Sequence, residues 1–159
     1  MQGKPPAHEA PIKILSENRK ARFNYQILDT FEAGIVLTGA EIKSIRTDGI
    51  SLGESYVRPD ADALYLLNAH INPYKFSDQK DYNPLRQRKL LLHQQEIDKL
   101  RGRVEQRGLT IVPLKLYLKR GRAKLEIALA RGKAAPDRRD DIKKRESNRE
   151  LQRELKRGR

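Results

Sequence analysis

A long alternating run in the last third of the chain restricts the fold more than any other feature. Apolar side chains alternate along residues 110–118 and again along 125–129, with the turn-forming sequence KRGR between the two runs. Period-2 alternation on both sides of a short turn is typical of a β-hairpin. The hairpin predicts an antiparallel sheet, and its outward face is expected to carry Lys115, Lys119 and Lys124.

Shorter patterns upstream predict more strands. We expect one strand from Ala21, because Phe23, Tyr25 and Ile27 alternate with polar residues, and a second at 34–38, GIVLT. Strands are also predicted at 55–57 and 63–71, a polar loop at 72–84, and either a helical turn or a strand at 85–92.

Two segments have the marks of helices. Thr38 and Glu41 have the spacing of a capping box and Gly49 supplies a stop, which places Lys43 and Arg46 on the outer face. Residues 94–106 repeat apolar side chains at helical spacing and end before a glycine.

About six short strands with two or three irregularly placed helices indicate a mainly β protein with flanking helices. We predict a small antiparallel barrel of the oligonucleotide-binding (OB) type, although other small barrels have the same strand count. Residues 14–132 should form this domain, between a flexible N-terminal tail at 1–13 and a basic C-terminal arm at 133–159.

Charge indicates the kind of partner. Lys and Arg total 34 against 21 Asp and Glu, a formal net charge of +13, and a chain this basic is expected to bind a polyanion such as nucleic acid. The chain has no cysteine, its three histidines lack metal-ligand spacing, and no segment resembles a signal peptide or a membrane span. These features predict a cytoplasmic protein without metal, cofactor or membrane partner. The sequence leaves the oligomeric state open, and a monomer is the default expectation.

Catalytic motifs are absent from the sequence. No phosphate-binding glycine motif follows a strand, and His8, His70 and His93 are isolated from one another. Asp60 and Asp62 are the best candidates for a metal-dependent nuclease, but the turn sequence PDAD explains them more simply. We therefore expect no enzymatic activity.

Basic residues on several surfaces favour structured RNA as the partner, because they supply phosphate contacts over a broad area. A ribosomal or general structured-RNA-binding protein would have the same distribution. Phe23 and Tyr25 could stack on bases, or one or both could belong to the core. The charge argument selects Lys20, Arg22, Lys43, Arg46, Arg86, Arg88 and Lys89.

The C-terminal arm cannot bury a helix face, because Ile142 falls opposite Leu151 on a helical wheel. A helix would still present a ridge of basic side chains. A solvated tail and a segment that folds against a polyanion both fit this pattern. The ridge contains Arg138, Arg145, Arg149, Arg153 and Lys156.

Several motifs, taken in order, resemble the small protein B family, the SsrA-binding proteins that partner transfer-messenger RNA in bacterial ribosome rescue. They include NRKARFNY, FEAGIVLTGAEIKSIR, RQRKLLLH, GRVEQRG, LKLYLK and DRRDDIKKRE. The resemblance implies an OB-type barrel, no catalytic activity, and binding to the tRNA-like domain of transfer-messenger RNA. It assigns that contact to Glu32, Leu91, His93 and Lys124.

The resemblance also implies a role for the arm on stalled ribosomes. The arm would be disordered alone and would become helical in the empty mRNA channel, against RNA of the small subunit. Gly132 matches the family's junction glycine, and Asp137, Arg138 and Arg139 match the motif after it. The chain departs from the family at Pro136, where His or an aromatic residue is frequent, and at Ser147, where Trp is frequent.

Overall fold

The structure is a computed structural model that describes residues 11–77 and 80–133, together with positions 149, 152 and 153. Within these residues the chain forms seven strands and three helices. They are β1 (Ile12–Glu17), α1 (Arg19–Asn24), β2 (Tyr25–Ile35), α2 (Gly39–Asp48), β3 (Tyr56–Pro59), β4 (Leu64–Leu67), β5 (Arg88–Leu91), α3 (Gln94–Arg107), β6 (Thr110–Lys119) and β7 (Arg122–Gly132).

The strands close into an antiparallel barrel. The order β6-β3-β4-β5-β2-β7 returns to β6, because β6 also pairs with β7 along its length. One edge of β6 is shared, since Ile111 pairs with β3 while residues 115–119 pair with β1. The predicted OB-type barrel is confirmed, and its first strand begins two residues before the predicted start of the domain.

The C-terminal hairpin forms as predicted. Lys119 pairs with Arg122 across a two-residue turn, in which Arg120 and Gly121 both have positive φ. Two positive φ values are the mark of a type I′ turn, whose twist matches that of the flanking strands.

A β-bulge in β6 corrects the prediction that the hairpin keeps one basic face throughout. Pro113 pairs with Ile127 and Lys115 with Glu126, so Leu114 is an extra residue that reverses the alternation. Val112 and Leu114 pack into a small cluster beneath α1, whereas Ile111 before the bulge and Leu116 after it belong to the main core. Both faces of the first half of β6 are therefore buried.

Residues 19–24 form helix α1, so the strand predicted from Ala21 was wrong for its first four residues. Asn18 anchors the helix start, because its side-chain amide donates to the carbonyl of Pro113 at 2.8 Å. Ala21 then packs against the small cluster. Strand β2 begins at Tyr25 and runs without a break to Ile35, so GIVLT is the end of β2 and the loop after it rather than a separate strand.

The two predicted helices are confirmed as α2 and α3. The Thr38 hydroxyl accepts from the Glu41 N–H at 3.1 Å, the Glu41 carboxylate accepts from the Thr38 N–H at 3.0 Å, and α2 ends at Gly49. Helix α3 ends at Gly108, which has a left-handed φ of 64°. The ambiguous segment before α3 contains strand β5, and a loop precedes it as predicted.

Candidate RNA-binding surface

The ends of three adjacent strands form an open depression on the outside of the barrel. Gly34 of β2 pairs with Leu91 of β5 on one side and with Lys124 of β7 on the other. Glu32 lies two residues before Gly34 on the same face, and His93 lies just beyond β5. Glu32, Leu91, His93 and Lys124 line this depression of about 340 Å³ together with Leu92 and Glu96.

Glu32 presents a fixed carboxylate at one side of the depression. The Tyr117 hydroxyl donates to its Oε2, and the Lys119 ammonium lies 3.6 Å from the same oxygen. The hydrogen bond from Tyr117 and the positive charges of Lys119 and Lys124 lower the pKa of Glu32, although burial opposes them. An ionised carboxylate only accepts hydrogen bonds, so Glu32 is suited to the hydroxyl and amino groups of RNA.

Leu91 supplies an apolar surface beside this carboxylate. Its side chain is 53% exposed, which is high for a leucine on a strand. Gly34 makes room for it, because a Cβ at position 34 would lie 3.2 Å from the Cβ of Leu91. The depression thus combines a hydrogen-bond acceptor (Glu32), a cation (Lys124) and an exposed apolar side chain (Leu91).

Strand pairing places further residues beside the depression. Strand register aligns Ile14, Tyr117, Lys124, Gly34 and Leu91 on five successive strands. Ile14 is 45% exposed at the far end of the row. Sequence reasoning missed Tyr117 and Ile14, because only the register of β6 with β1 and β7 brings them beside Lys124.

None of the cations predicted from charge lines the depression. Lys43, Arg46 and Lys89 are exposed on α2 and β5. Arg22 is exposed on α1 and lines a separate depression that also includes Lys115. Lys20 is exposed on the same helix, 3.4 Å from the Glu54 carboxylate.

Arg88 was wrongly predicted as an RNA-binding residue. Its side chain is 0% exposed, its Nη2 lies 2.6 Å from Oε2 of Glu41, and its Nη1 donates to the Ala69 carbonyl at 2.6 Å. The predicted residue Arg86 also pairs with Glu41 at 2.5 Å, with 37% of its side chain exposed. These arginines join α2 to β5, so Arg88 holds the fold rather than a phosphate.

The buried Glu41 carboxylate is surrounded by donors. Burial alone would raise its pKa, but hydrogen bonds from Arg86, the Thr38 N–H and Arg88 lower the pKa to about 2. The Tyr82 hydroxyl lies 3.1 Å from Oε2 of Glu41 and 3.1 Å from the Ile71 carbonyl oxygen. The network therefore ties the loop before β5 to α2.

Tyr25 packs against the small cluster beneath α1, so the core interpretation of this ring is confirmed. Phe23 is half-buried on α1.

Asp60 lies in the turn between β3 and β4. Its N–H donates to the Ala63 carbonyl at 2.7 Å, and the Arg101 guanidinium donates to the Asp60 and Ala61 carbonyls. These contacts agree with the turn role assigned to PDAD. Across residues 11–77 and 80–133, no group of three or more His, Asp or Glu is placed to hold a metal ion, and none of the helices described there is long and apolar enough to span a membrane.

The root of the arm lies far from the depression. Gly132 ends β7 opposite Tyr25, and the Lys133 N–H donates to the Asn24 carbonyl at 3.0 Å. Gly132 lies eight positions after Lys124 along the strand, a distance of about 26 Å. Arg149 and Arg153 are helical and exposed, whereas Pro136, Asp137, Arg138, Arg139, Arg145 and Ser147 lie outside the described residues.

A closed six-stranded barrel with a basic and apolar outer surface defines a small OB-type protein of the class that binds nucleic acid. Comparison with known proteins specifies the family. The SmpB protein family profile matches residues 15–157, and the chain belongs to this family.

Curated relatives agree with this assignment. An SsrA-binding protein of Thermosynechococcus vestitus is 53% identical over 146 residues, which cover 91% of this chain and 96% of the relative. One of Anaeromyxobacter dehalogenans is 51% identical over 153 residues, which cover 96% and 94%. A solved chain described as "tmRNA-SmpB: a journey to the center of the bacterial ribosome" is 49% identical with a TM-score of 0.63, covering 79% of this chain and 87% of that one.

Proposed function

We propose that this protein is the RNA-binding adaptor of trans-translation. It binds the tRNA-like domain of transfer-messenger RNA, delivers that RNA to stalled ribosomes in the cytoplasm, and places its C-terminal arm in the empty mRNA channel. It acts as a monomer and catalyses no reaction itself. The observation that carries the proposal is the convergence of Glu32, Leu91, His93 and Lys124 in one depression of a chain that belongs to the SmpB family.

The chemistry of the depression suits a folded RNA better than a uniform duplex. Lys124 contributes a phosphate contact, while Leu91 offers an apolar surface to an unstacked base. Glu32 accepts hydrogen bonds from a base edge or a ribose hydroxyl, and the hydroxyl distinguishes RNA from DNA. A carboxylate repels phosphate, so its presence favours a site where a loop turns a base or sugar toward the protein.

The separation of the depression from the arm supports an adaptor. With about 26 Å between Lys124 and Gly132 along β7, RNA bound at one end of the strand leaves the root of the arm free at the other. The basic arm and an mRNA compete for the same mRNA channel, both electrostatically and because they need the same space. Ribosomes whose message ends early would therefore be selected over ribosomes that hold an intact message.

Binding at matched salt tests the proposal. The full chain should bind transfer-messenger RNA at least tenfold more tightly than bulk tRNA, and that RNA should dominate the RNA that co-purifies with the protein. Lys124→Gln should weaken binding, while Lys13→Gln, which removes an exposed cation of β1 outside the depression, serves as the matched control. Equal affinity for the two RNAs would favour a general structured-RNA-binding protein instead.

A further inference from the structure

An exposed aromatic ring stands in the loop between β4 and β5, outside the depression described above. Phe76 is 77% exposed, the highest value among the large hydrophobic residues that the structure describes as exposed. The Tyr74 ring supports it in an edge-to-face arrangement, with centroids 5.4 Å apart and planes at 71°. Most of the surface of Phe76 is therefore accessible to a partner from outside the chain.

Two lysines flank these rings. The Lys75 ammonium lies 5.3 Å from the centroid of Phe76, and the Lys43 ammonium, which comes from α2, lies 5.8 Å from the centroid of Tyr74. Arg46 is exposed one turn further along α2. Aromatic rings beside exposed cations are the arrangement with which proteins hold unpaired nucleotides, since rings stack on bases and cations contact phosphates.

The base of this loop is held in place. The Ser44 hydroxyl donates to the Asn72 carbonyl at 2.6 Å, and the Ser77 N–H donates to the Tyr74 carbonyl at 2.9 Å. Further along, the Tyr82 hydroxyl binds the buried Glu41 carboxylate. The bonds of Asn72 and Tyr82 join both ends of the loop to α2, while the bond of Ser77 closes a turn around Lys75 and Phe76.

We infer that Phe76, Tyr74, Lys43 and Lys75 form a second contact for the same RNA that occupies the depression, with Phe76 stacking on an unpaired base. This inference rests on the proposed function. It also assigns a role to Lys43 and Arg46, the cations of α2 that the depression does not use.

Helix α2 and strand β5 connect the second contact to the depression. Helix α2 begins four residues after the end of β2, and Ile35 at that end pairs with Leu90 of β5. Arg88, which Glu41 holds against α2, is three residues or about 10 Å from Leu91. The exposed Lys89 lies between them, so one RNA surface can cross β5 and reach both sites.

Substitution of the exposed ring tests the inference. Phe76→Ala should weaken binding of full-length protein to transfer-messenger RNA roughly 5- to 150-fold, the range expected for loss of one stacked base. Phe76→Tyr should retain affinity, because its ring still stacks. Leu28→Ala is the matched control, since Leu28 is an apolar residue that is 39% exposed elsewhere, and it should leave binding unchanged.

Charge removal at the same site gives an independent readout. Lys43→Gln combined with Lys75→Gln should reduce the slope of log affinity against log salt by about one to two, because two phosphate contacts are lost. An unchanged slope would overturn the phosphate contacts.

Three results would overturn the inference while leaving the proposed function intact, provided that the wild type still prefers transfer-messenger RNA to bulk tRNA. In the first, Phe76→Ala binds that RNA as tightly as Leu28→Ala does. In the second, Phe76→Ala retains this affinity but the protein–RNA complex loses affinity for ribosomes, which would assign the ring to ribosomal RNA. In the third, Phe76 is required only for binding to vesicles of anionic lipid. A wild type without the RNA preference would instead refute the proposed function.

Discussion

The carboxylate of Glu41 is buried between two guanidinium groups, and its removal should destabilise the protein severely. We expect Glu41→Ala to lower the free energy of unfolding by about 3–5 kcal/mol, because Arg88 would be left buried without its counter-charge. Urea denaturation measures the change. Glu54→Ala breaks an exposed pair with Lys20 and should cost about 1 kcal/mol or less. Similar losses in the two variants would contradict the structural role of Glu41.

The lowered pKa of Glu41 predicts how the free energy of unfolding depends on pH. Its pKa is about 2 in the folded protein and near the ordinary 4.5 in the unfolded chain. Ionised Glu41 therefore stabilises the fold fully above about pH 5, and this stabilisation is lost as pH falls from about 4.5 toward 2. The stability difference between wild type and Glu41→Gln should shrink across that window in denaturation measured from pH 7 to pH 3. Parallel pH profiles would contradict the assignment.

Tyr117 and Glu32 form a second interaction that can be tested at the level of single atoms. Removing the Tyr117 hydroxyl, as Tyr117→Phe, should raise the pKa of Glu32 toward its ordinary value, because that hydrogen bond is the largest influence on it. NMR titration of the Glu32 carboxyl carbon measures the change. Lys119→Gln should raise the pKa less. Glu32 stays ionised at neutral pH in either variant, so its charge is the same as in the wild type. A loss of RNA affinity at pH 7 would therefore show that the orientation of the carboxylate matters for binding.

At the level of elements, the meeting of β2 and β5 sets the shape of the depression. Gly34→Ala would place a methyl group 3.2 Å from the Cβ of Leu91, so the end of β5 must shift. We expect a several-fold loss of RNA affinity with a small change in melting temperature. Gly39→Ala is the control, because nothing lies within 4 Å of that Cβ, and it should leave both properties nearly unchanged. Unaltered RNA binding by Gly34→Ala would show that the ligand does not contact Leu91.

Elements with local signals could be predicted from the sequence, whereas elements set by distant contacts could not. The capping box of α2 and the β6–β7 turn depend on residues close in sequence, and both form as predicted. Helix α1 depends on a hydrogen bond from Asn18 to the Pro113 carbonyl, 95 residues away. The bulge at Leu114 was equally hidden, because its side chain continues the apolar alternation while facing another cluster.

The candidate site also has residues that could be predicted before the structure was known and residues that could not. Glu32, Leu91, His93 and Lys124 were obtained from the family resemblance, and the structure brings them together although they come from three separate segments of the chain. Charge alone selected Arg88, which proved to be buried, because a list of basic residues does not show which of them have buried acidic partners. The buried acidic partner of Arg88 is Glu41. The sequence indicated only the role of Glu41 in the capping box of α2 and not its ion pair with Arg88.

At the scale of the whole molecule, RNA binding and ribosome engagement should be separable. Deleting residues 137–159 should leave affinity for transfer-messenger RNA within about threefold, because the depression lies about 26 Å from Gly132 along β7. Peptide tagging on ribosomes without downstream message should be abolished. An arm with the same composition in scrambled order is the control for net charge. Equal losses of RNA binding and tagging would show that the arm is only another RNA-binding surface.

The seam between β2 and β7 has a consequence for how the chain acquires its fold during its own synthesis. Tyr25 pairs with Gly132 and Gly34 with Lys124, so the barrel closes through partners about a hundred residues apart. Contacts of such long range slow folding, and a nascent chain exposes the edge of β2 until β7 has been made. A message broken before the codons for β7 would therefore yield an open, aggregation-prone fragment on a stalled ribosome. By the proposed function, that is the kind of product this protein helps to tag.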